Sequence, residues 1–285
     1  MFTTGFRFFD PAYAENKSAL QTLYLQLSLN HVAYTVFDEQ HNRFVALETY
    51  DTHLKNTEDF LPALSEWIAQ IPGFHELASA TSVLLLDFSK TTIVPEQLYN
   101  AQEKELYYRF NNSGGRKDEF FSDKLKTANA HVIYTLPAQF RQSLQSLFPA
   151  SVIYHHASIF IESILLLFKN SSENPQIFIN VRTGLFDIVI LKERKLHFFN
   201  TFSYTTKEDF LYYLIFVMEQ LLLNPESAEI CLMGSIEKDS SIFEMMYRYV
   251  RNIRFYQQKG NPENSVFNTF PDHFFFTLHN VRQCV

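Results

Sequence analysis

Glycine is the scarce residue of this chain: 285 residues hold seven, Gly5, Gly73, Gly114, Gly115, Gly184, Gly234 and Gly260. A loop that cradles phosphate needs backbone N–H groups close to the ligand, and glycine permits that approach. The stretch between Gly5 and Gly73 has none, which excludes a glycine-rich phosphate loop there. Cysteine is nearly absent, and Cys231 and Cys284 make no disulfide framework. Basic residues are outnumbered 24 to 31 by acidic ones, giving a net charge of −7 and a pI of about 5.8. A surface that neutralises nucleic-acid phosphates needs the opposite balance, so no nucleic-acid partner is expected. Long apolar runs are missing as well. The most apolar, Ile159 to Phe168, contains Glu162 and is too short to span a bilayer. The opening MFTTGFRFFDP lacks the continuous apolar segment of a signal peptide. A soluble, cytoplasmic protein is the expectation.

What is abundant is aromatic: 30 Phe and 15 Tyr within a chain that is 46% hydrophobic, enough for one large or two medium cores. The stretch around which the rest is organised is QIFINVRTGLFDIVILKERKLHFFN, residues 176–200. Its apolar runs are split by Arg182-Thr183-Gly184 and by Lys192-Glu193-Arg194-Lys195, the pattern of a three-stranded antiparallel meander. Thr205 and Thr206, three residues before Glu208 and Asp209, signal a helix start. An almost wholly apolar helix follows over Phe210–Leu223, then a buried strand at Ile230–Met233 closed by Gly234. A helix over Ser240–Val250 and a strand at Ile253–Tyr256 complete the series.

The first half repeats that order without repeating its residues. Tyr24–Leu29 and Val32–Phe37 alternate, and Arg43–Tyr50 supplies a third strand. A helix over Thr57–Gln70, with Trp67 and Ile68 inward, precedes a strand at Val83–Phe88. Residues before Ala19 read either as an added edge strand or as an arm. Further on, a strand ending at Val94 leads to a helix that opens at Pro95 and runs through Phe110. Asn111–Asp118 reads as a mobile loop. A strand at His131–Thr135, a helix over Pro137–Leu147, a strand at Ser151–Tyr154 and an apolar helix over Ser158–Phe168 follow. The polar turn Asn170–Pro175 marks a boundary between domains 1–170 and 171–285. Phe267–Val285 could add a last strand or helix.

Strand-strand-strand-helix-strand-helix-strand, with this first hairpin, resembles the core repeat of the actin-like ATPase fold. In its cell-division and pilus-assembly members the hairpin reads Asp-hydrophobic-Gly-x-Gly-Thr-Thr-Asp. Asn180, Val181, Arg182, Thr183, Gly184, Leu185, Phe186 and Asp187 stand there in this chain. Gly184, Asp187 and the apolar frame agree; the first Asp, the first Gly and both Thr do not. Ile93-Val94-Pro95 with Leu98-Tyr99, set in this architecture, further resembles domain-of-unknown-function family 3822, an uncharacterised bacterial group typical of Bacteroidetes. The resemblance implies an α/β protein of two actin-like (ribonuclease H-like) lobes, each a mixed five-stranded sheet with flanking helices, and ATP with Mg²⁺ in the cleft between them.

The positions that would contact such a nucleotide are Ser28 and Asn30 in the first lobe, and Asn180, Thr183, Gly184 and Asp187 in the second, with Gly234 and Ser235 beside the adenosine. Ser and Asn can hydrogen-bond but bring none of the negative charge that Mg²⁺ prefers. Arg182 adds a side chain at the closest backbone approach. These glycines can equally serve ordinary turns, so ATP and Mg²⁺ are possible with degenerate motifs. The same fold hosts nucleases, but two-metal chemistry needs clustered carboxylates, and Asn180, Ser28 and Asp87 do not provide them. Adjacent residues on a strand face opposite ways, so His155-His156 reads as a packed or capping pair rather than a metal site. Arg248, Arg251 and Arg254 sit where they answer a helix dipole. No Ser-His-Asp or Cys-His arrangement is legible. The expected function is a non-catalytic scaffold or regulatory protein with a protein partner, docked through the aromatic tail Phe274–Phe276 or the lobe cleft. The alternative is an ATPase or small-molecule kinase with an atypical phosphate site. The alternative for the tail is a buried closing strand over Phe274–Leu278.

Overall fold

The computed structural model describes residues 2–10, 20–71, 73–79, 81–88, 90–113, 118–172, 174–258, 267 and 270–285. The chain divides into two units. Unit 1 is Met1–Phe160 with Asn261–Thr269 and Thr277–Val285; unit 2 is Ile161–Gly260 with Phe270–Phe276.

Unit 1 carries β1 (Thr3–Phe9), β2 (Gln21–Ser28), β3 (His31–Asp38), β4 (Arg43–Asp51), β5 (Ser82–Asp87) and β9 (Ser151–His155), in the sheet order β1-β4-β3-β2-β5-β9. The meander β2-β3-β4 is antiparallel, whereas β5 pairs in parallel with β2 and β9 with β5. A parallel return needs a crossover. It includes α1 (Thr57–Gln70), whose Asn56 side chain accepts from Asp59 N–H at 2.8 Å. Phe60, Leu64, Trp67 and Ile68 fall on one stripe of α1 and are buried. Around Trp67 stand Phe2, Tyr34, Tyr50 and Phe74, with ring centroids 4.9–6.2 Å away. The main sheet of unit 1 has six strands where five were expected, because the N-terminal segment settles as β1 on the β4 edge. Arg7 of β1 pairs with the fully buried Glu48 of β4 at 3.1 Å.

Between β5 and β9 the chain builds a second, three-stranded sheet, ordered β6-β8-β7: β6 (Thr92–Pro95), β7 (Asp118–Leu125) and β8 (Ala130–Pro137). The helix expected from Pro95 onward is broken. A 3-10 turn at Glu96–Leu98 gives way to extended backbone at Tyr99 and Asn100, then a second turn at Ala101–Glu103. Only Lys104–Asn111, after the short α2 (Phe74–Ser79), continues as helix α3. The break is held by packing. The Tyr99 ring stacks on His131 at 3.6 Å, its hydroxyl meets Ser122 at 2.6 Å, and Asn100 caps Gln102 N–H. Strand β7 was not foreseen, because half of DEFFSDKL is charged. Asp123 explains one of those charges. Its carboxylate accepts from His155 N–H and Ser158 Oγ, both at 2.7 Å, and from Tyr134 Oη at 3.2 Å. It thus fastens the small sheet to the end of β9 and the start of α5 (His156–Phe168), after α4 (Ala138–Leu147). Burial drives the Asp123 pKa up to about 6, against those three donors. His155 and His156 are both buried; His155 Nδ1 accepts from Ala157 N–H at 3.1 Å, and His156 stacks over Phe160. Residues 114–117 of the loop expected to be mobile lie outside the described residues.

Unit 2 holds β10 (Gln176–Arg182), β11 (Leu185–Lys192), β12 (Lys195–Ser203), β13 (Glu229–Gly234) and β14 (Asn252–Phe255), in the order β12-β11-β10-β13-β14. It repeats unit 1: an antiparallel meander, a crossover helix, and a strand returning parallel to the first, here β13 beside β10. The crossover is α6 (Lys207–Gln220), opened by a reciprocal capping box between Thr206 and Asp209. Ile177, Ile179, Phe186, Ile188 and Ile190 of the hairpin pack against Phe210, Leu214 and Met218 of α6 and Met246 of α7 (Ser241–Tyr247). The tail forms helix α8 (Phe276–Asn280) and a 3-10 turn, not a strand. Phe276 is 1% exposed and meets Tyr256 at 4.8 Å, so this tail aromatic is a core residue. No helix among the described residues is long and apolar enough to cross a membrane.

Candidate functional site

The hairpin β10–β11 turns at Thr183-Gly184, where Gly184 has φ +72°, a left-handed value that favours glycine. Tyr204, just past β12, holds the turn from outside. Its N–H donates to Gly184 O and its hydroxyl to Arg182 O, each at 3.0 Å. The antiparallel register sets Asn180 opposite Asp187, and Asp187 opposite Thr201 on β12. β10 and β12 therefore bring three side chains to one carboxylate on β11. Asp187 is fully buried. Its Oδ2 accepts from Asn180 Nδ2 and Arg182 Nε, both at 3.0 Å. Its Oδ1 accepts from Arg182 Nη2 at 2.6 Å and Thr201 Oγ1 at 2.7 Å. Each oxygen has two donors, which matches the acceptor capacity of an ionised carboxylate. Arg182 grips it in the bidentate, charge-assisted geometry, the strongest form of such a pair.

Gly234 closes β13 beside the same strand. It lies opposite Val181, with φ +84°. A Cβ there would stand 2.1 Å from Val181 O and 2.7 Å from Asn180 Oδ1, so backbone proximity alone demands glycine. Gly234 N–H donates to His273 O at 2.7 Å and Ser235 N–H to Val181 O at 2.8 Å. His273 Nε2 lies 2.8 Å from Ile236 O, and burial lowers the pKa of its ring. Asn180, Thr183, Gly184, Asp187, Gly234 and Ser235 thus gather at one end of the unit 2 sheet, and the backbone N–H groups of Gly234 and Ser235 are engaged by protein.

The corresponding hairpin of unit 1, β2–β3, is closed on itself. Ser28 Oγ donates to His31 O at 2.8 Å and accepts from His31 N–H at 3.1 Å, across the two-residue turn Leu29-Asn30. Asn30 O accepts from Thr52 N–H at 2.9 Å, and the Thr52 hydroxyl donates to Leu29 O. His31 Nδ1 faces Asp51 at 3.2 Å, with its pKa lowered by burial against the pull of that carboxylate.

These residues do not fit a Mg²⁺ ion. Mg²⁺ is bound through carboxylates and phosphate oxygens, yet the four acceptor positions of Asp187 already hold Asn180, Arg182 and Thr201, and Ser28 is spent on its own turn. Among the described residues no group of three or more His, Cys, Asp or Glu side chains could hold a metal ion. Thr201, Tyr204 and His273 were missing from the site read in the sequence, and Arg182 was read there only as an added side chain, not as a partner of Asp187. Arg182 was visible as a departure from the glycine of the actin-like hairpin that the sequence resembles; the other three join through register and through a segment far along the chain, which no local pattern marks.

Among curated proteins none matches the chain. The family model described as Protein of unknown function (DUF3822) matches residues 10–253. Among solved structures, a Bacteroides thetaiotaomicron protein with actin-like ATPase fold and unknown function is similar with a TM-score of 0.78 at 18% identity, over 94% of this chain and 98% of that one. A chain of the PilM-PilN type IV pilus biogenesis complex gives a TM-score of 0.62 at 9% identity, over 94% and 100%. The ethanolamine utilization protein EutJ from Carboxydothermus hydrogenoformans gives 0.51 at 8%, over 94% and 91%. At such identities the likeness carries the fold alone. The chain therefore belongs to the family Protein of unknown function (DUF3822) and has the actin-like ATPase fold.

Proposed function

We propose that this chain is a non-catalytic scaffold or regulatory protein, a bacterial actin-like fold that works without nucleotide and acts by holding a protein partner. The observation that carries the reading is the Arg182–Asp187 ion pair, 2.6 Å at its shorter contact, standing where the hairpin of the actin-like ATPases that the sequence resembles has a glycine. An internal cation on the carboxylate takes the role that a bound metal and phosphate would otherwise fill. The self-closed turn at Ser28 supports the same reading in unit 1. A structural neighbour found in the PilM-PilN complex gives precedent for a chain of this fold in a protein assembly.

Calorimetry of the full chain with Mg-ATP tests the proposal. No binding is expected in the micromolar range usual for working enzymes. Micromolar binding, or an ATP turnover that Asp187→Asn abolishes while the circular dichroism is unchanged, would establish the ATPase reading instead.

A further inference from the structure

The two repeats differ at one edge. In unit 1 the outer side of the third meander strand, β4, is covered by β1, in antiparallel register from Thr3 opposite Asp51 to Phe9 opposite Ala46. In unit 2 the equivalent strand, β12, ends the sheet, and no described strand lies beside it. β12 is nine residues long, with Lys195, His197, Asn200 and Ser203 exposed. Its outward N–H and C=O groups, apart from the Thr201 N–H that donates to Asn200 Oδ1 at 2.9 Å, are the template that strand addition uses. The turn leading into it is basic: Lys192, Arg194 and Lys195, with Glu193 among them, all exposed on a chain of net charge −7. Glu193 and Arg194 have φ +52° and +63°, the backbone of a tight turn that sets these side chains at the very start of the edge.

We propose that the β12 edge is a docking site for an extended, acidic segment of a partner protein, which adds a sixth strand to unit 2 as β1 does in unit 1. Main-chain pairing would give the affinity, and Lys192, Arg194 and Lys195 would select carboxylate side chains over basic ones. A second copy of the chain would bring the same basic turn rather than its complement. The inference deepens the reading of this chain as a partner-binding protein. The Mg-ATP result and the mapping of a bound segment are separate measurements, so either can fail alone.

A display library of nine-residue peptides selected against the full chain provides the test. Enriched peptides should alternate apolar residues with Asp or Glu, and hydrogen exchange should show new protection of amides in 195–203. The double variant Lys192→Glu/Lys195→Glu, with unchanged circular dichroism, should bind them at least about tenfold more weakly, a loss of about 1.4 kcal/mol. Four results overturn the proposal. The first is enrichment of neutral or basic peptides, or protection elsewhere. The second is a dimer of the free chain that already protects β12, and the third is an oligonucleotide that displaces the peptides. The last is no enrichment at all, in which case the lysines only guard the edge against aggregation.

Discussion

At the scale of single residues, the chemistry turns on Asp187. A buried carboxylate with an ionic partner adds little net stability as a pair but leaves a costly orphan when one member is removed. Asp187→Ala should therefore destabilise unit 2 by about 3–5 kcal/mol, since it strands the Arg182 guanidinium, 14% exposed at its side chain. Arg182→Met combined with Asp187→Ala should cost less than Asp187→Ala alone. Urea denaturation of the three proteins measures both effects. A loss below about 1 kcal/mol for Asp187→Ala would mean that the carboxylate is not held for stability. The sequence displayed the substitution of Arg182 for glycine but not its consequence. Which acceptor the guanidinium meets depends on the hairpin register, which sets position 187 beside 180 and 201.

At the scale of elements, patterns with a local cause were legible and those with a distant cause were not. The capping box of α6 is local: Thr206 and Asp209 satisfy each other's backbone within one turn. The loss of helix at Tyr99 is distant, because its ring stacks on His131 of β8. Strand β7 escaped notice for the same reason, since Asp123 is a buried charge whose donors lie on β8, β9 and α5. That carboxyl also makes a pH prediction. Its folded pKa of about 6 stands above the unfolded 3.8, so the native state binds more protons between those values. The stability it contributes is full below about pH 4 and is lost as the pH rises through about 6. From about pH 4.5 to 7 its share of the loss should be about 2 kcal/mol, at 1.36 kcal/mol per pKa unit. Tyr134 and Tyr154 beside it are raised above the ordinary tyrosine range by burial and stay protonated across this window, whereas the His155 ring, next to Tyr134, and Arg141, whose charge acts on Tyr134, belong to the same surroundings. The measured quantity is accordingly the difference between the wild type and Asp123→Asn. If the variant keeps the whole pH slope, Asp123 is not its source.

At the scale of the whole molecule, the tail closes the cores. Residues 270–276 belong to unit 2 and 277–285 to unit 1. In unit 2, His273 O receives Gly234 N–H and Phe276 packs on Tyr256. In unit 1, Leu278 and Val281 are buried, His279 meets Phe267, and Arg282 lies 4.2 Å over Phe37. Ending the chain at Pro271 would remove three buried apolar side chains, Phe276, Leu278 and Val281, each worth about 1.5–3 kcal/mol. Their sum, about 5–9 kcal/mol, rivals the total stability of a typical domain. The truncated chain should lose its cooperative thermal transition by circular dichroism. A folded truncation would return the tail to the role of a free docking arm.

The sequence by itself determined the strand-strand-strand-helix-strand order that both halves share, and the acidic, aromatic, glycine-poor character of the chain, because strand alternation, helix stripes and caps are set by neighbours a few residues apart. It also marked the hairpin at Asn180–Asp187 as a departure from the actin-like pattern. Only the tertiary structure decided what that departure does. Whether Asp187 faces a metal or an arginine, whether Gly234 serves a ligand or the backbone of Val181, and whether a strand edge is covered by β1 or left open at β12 all depend on strand register and on segments far apart in the chain. Those pairings follow from packing free energy summed over whole cores, and no short window of sequence contains that sum.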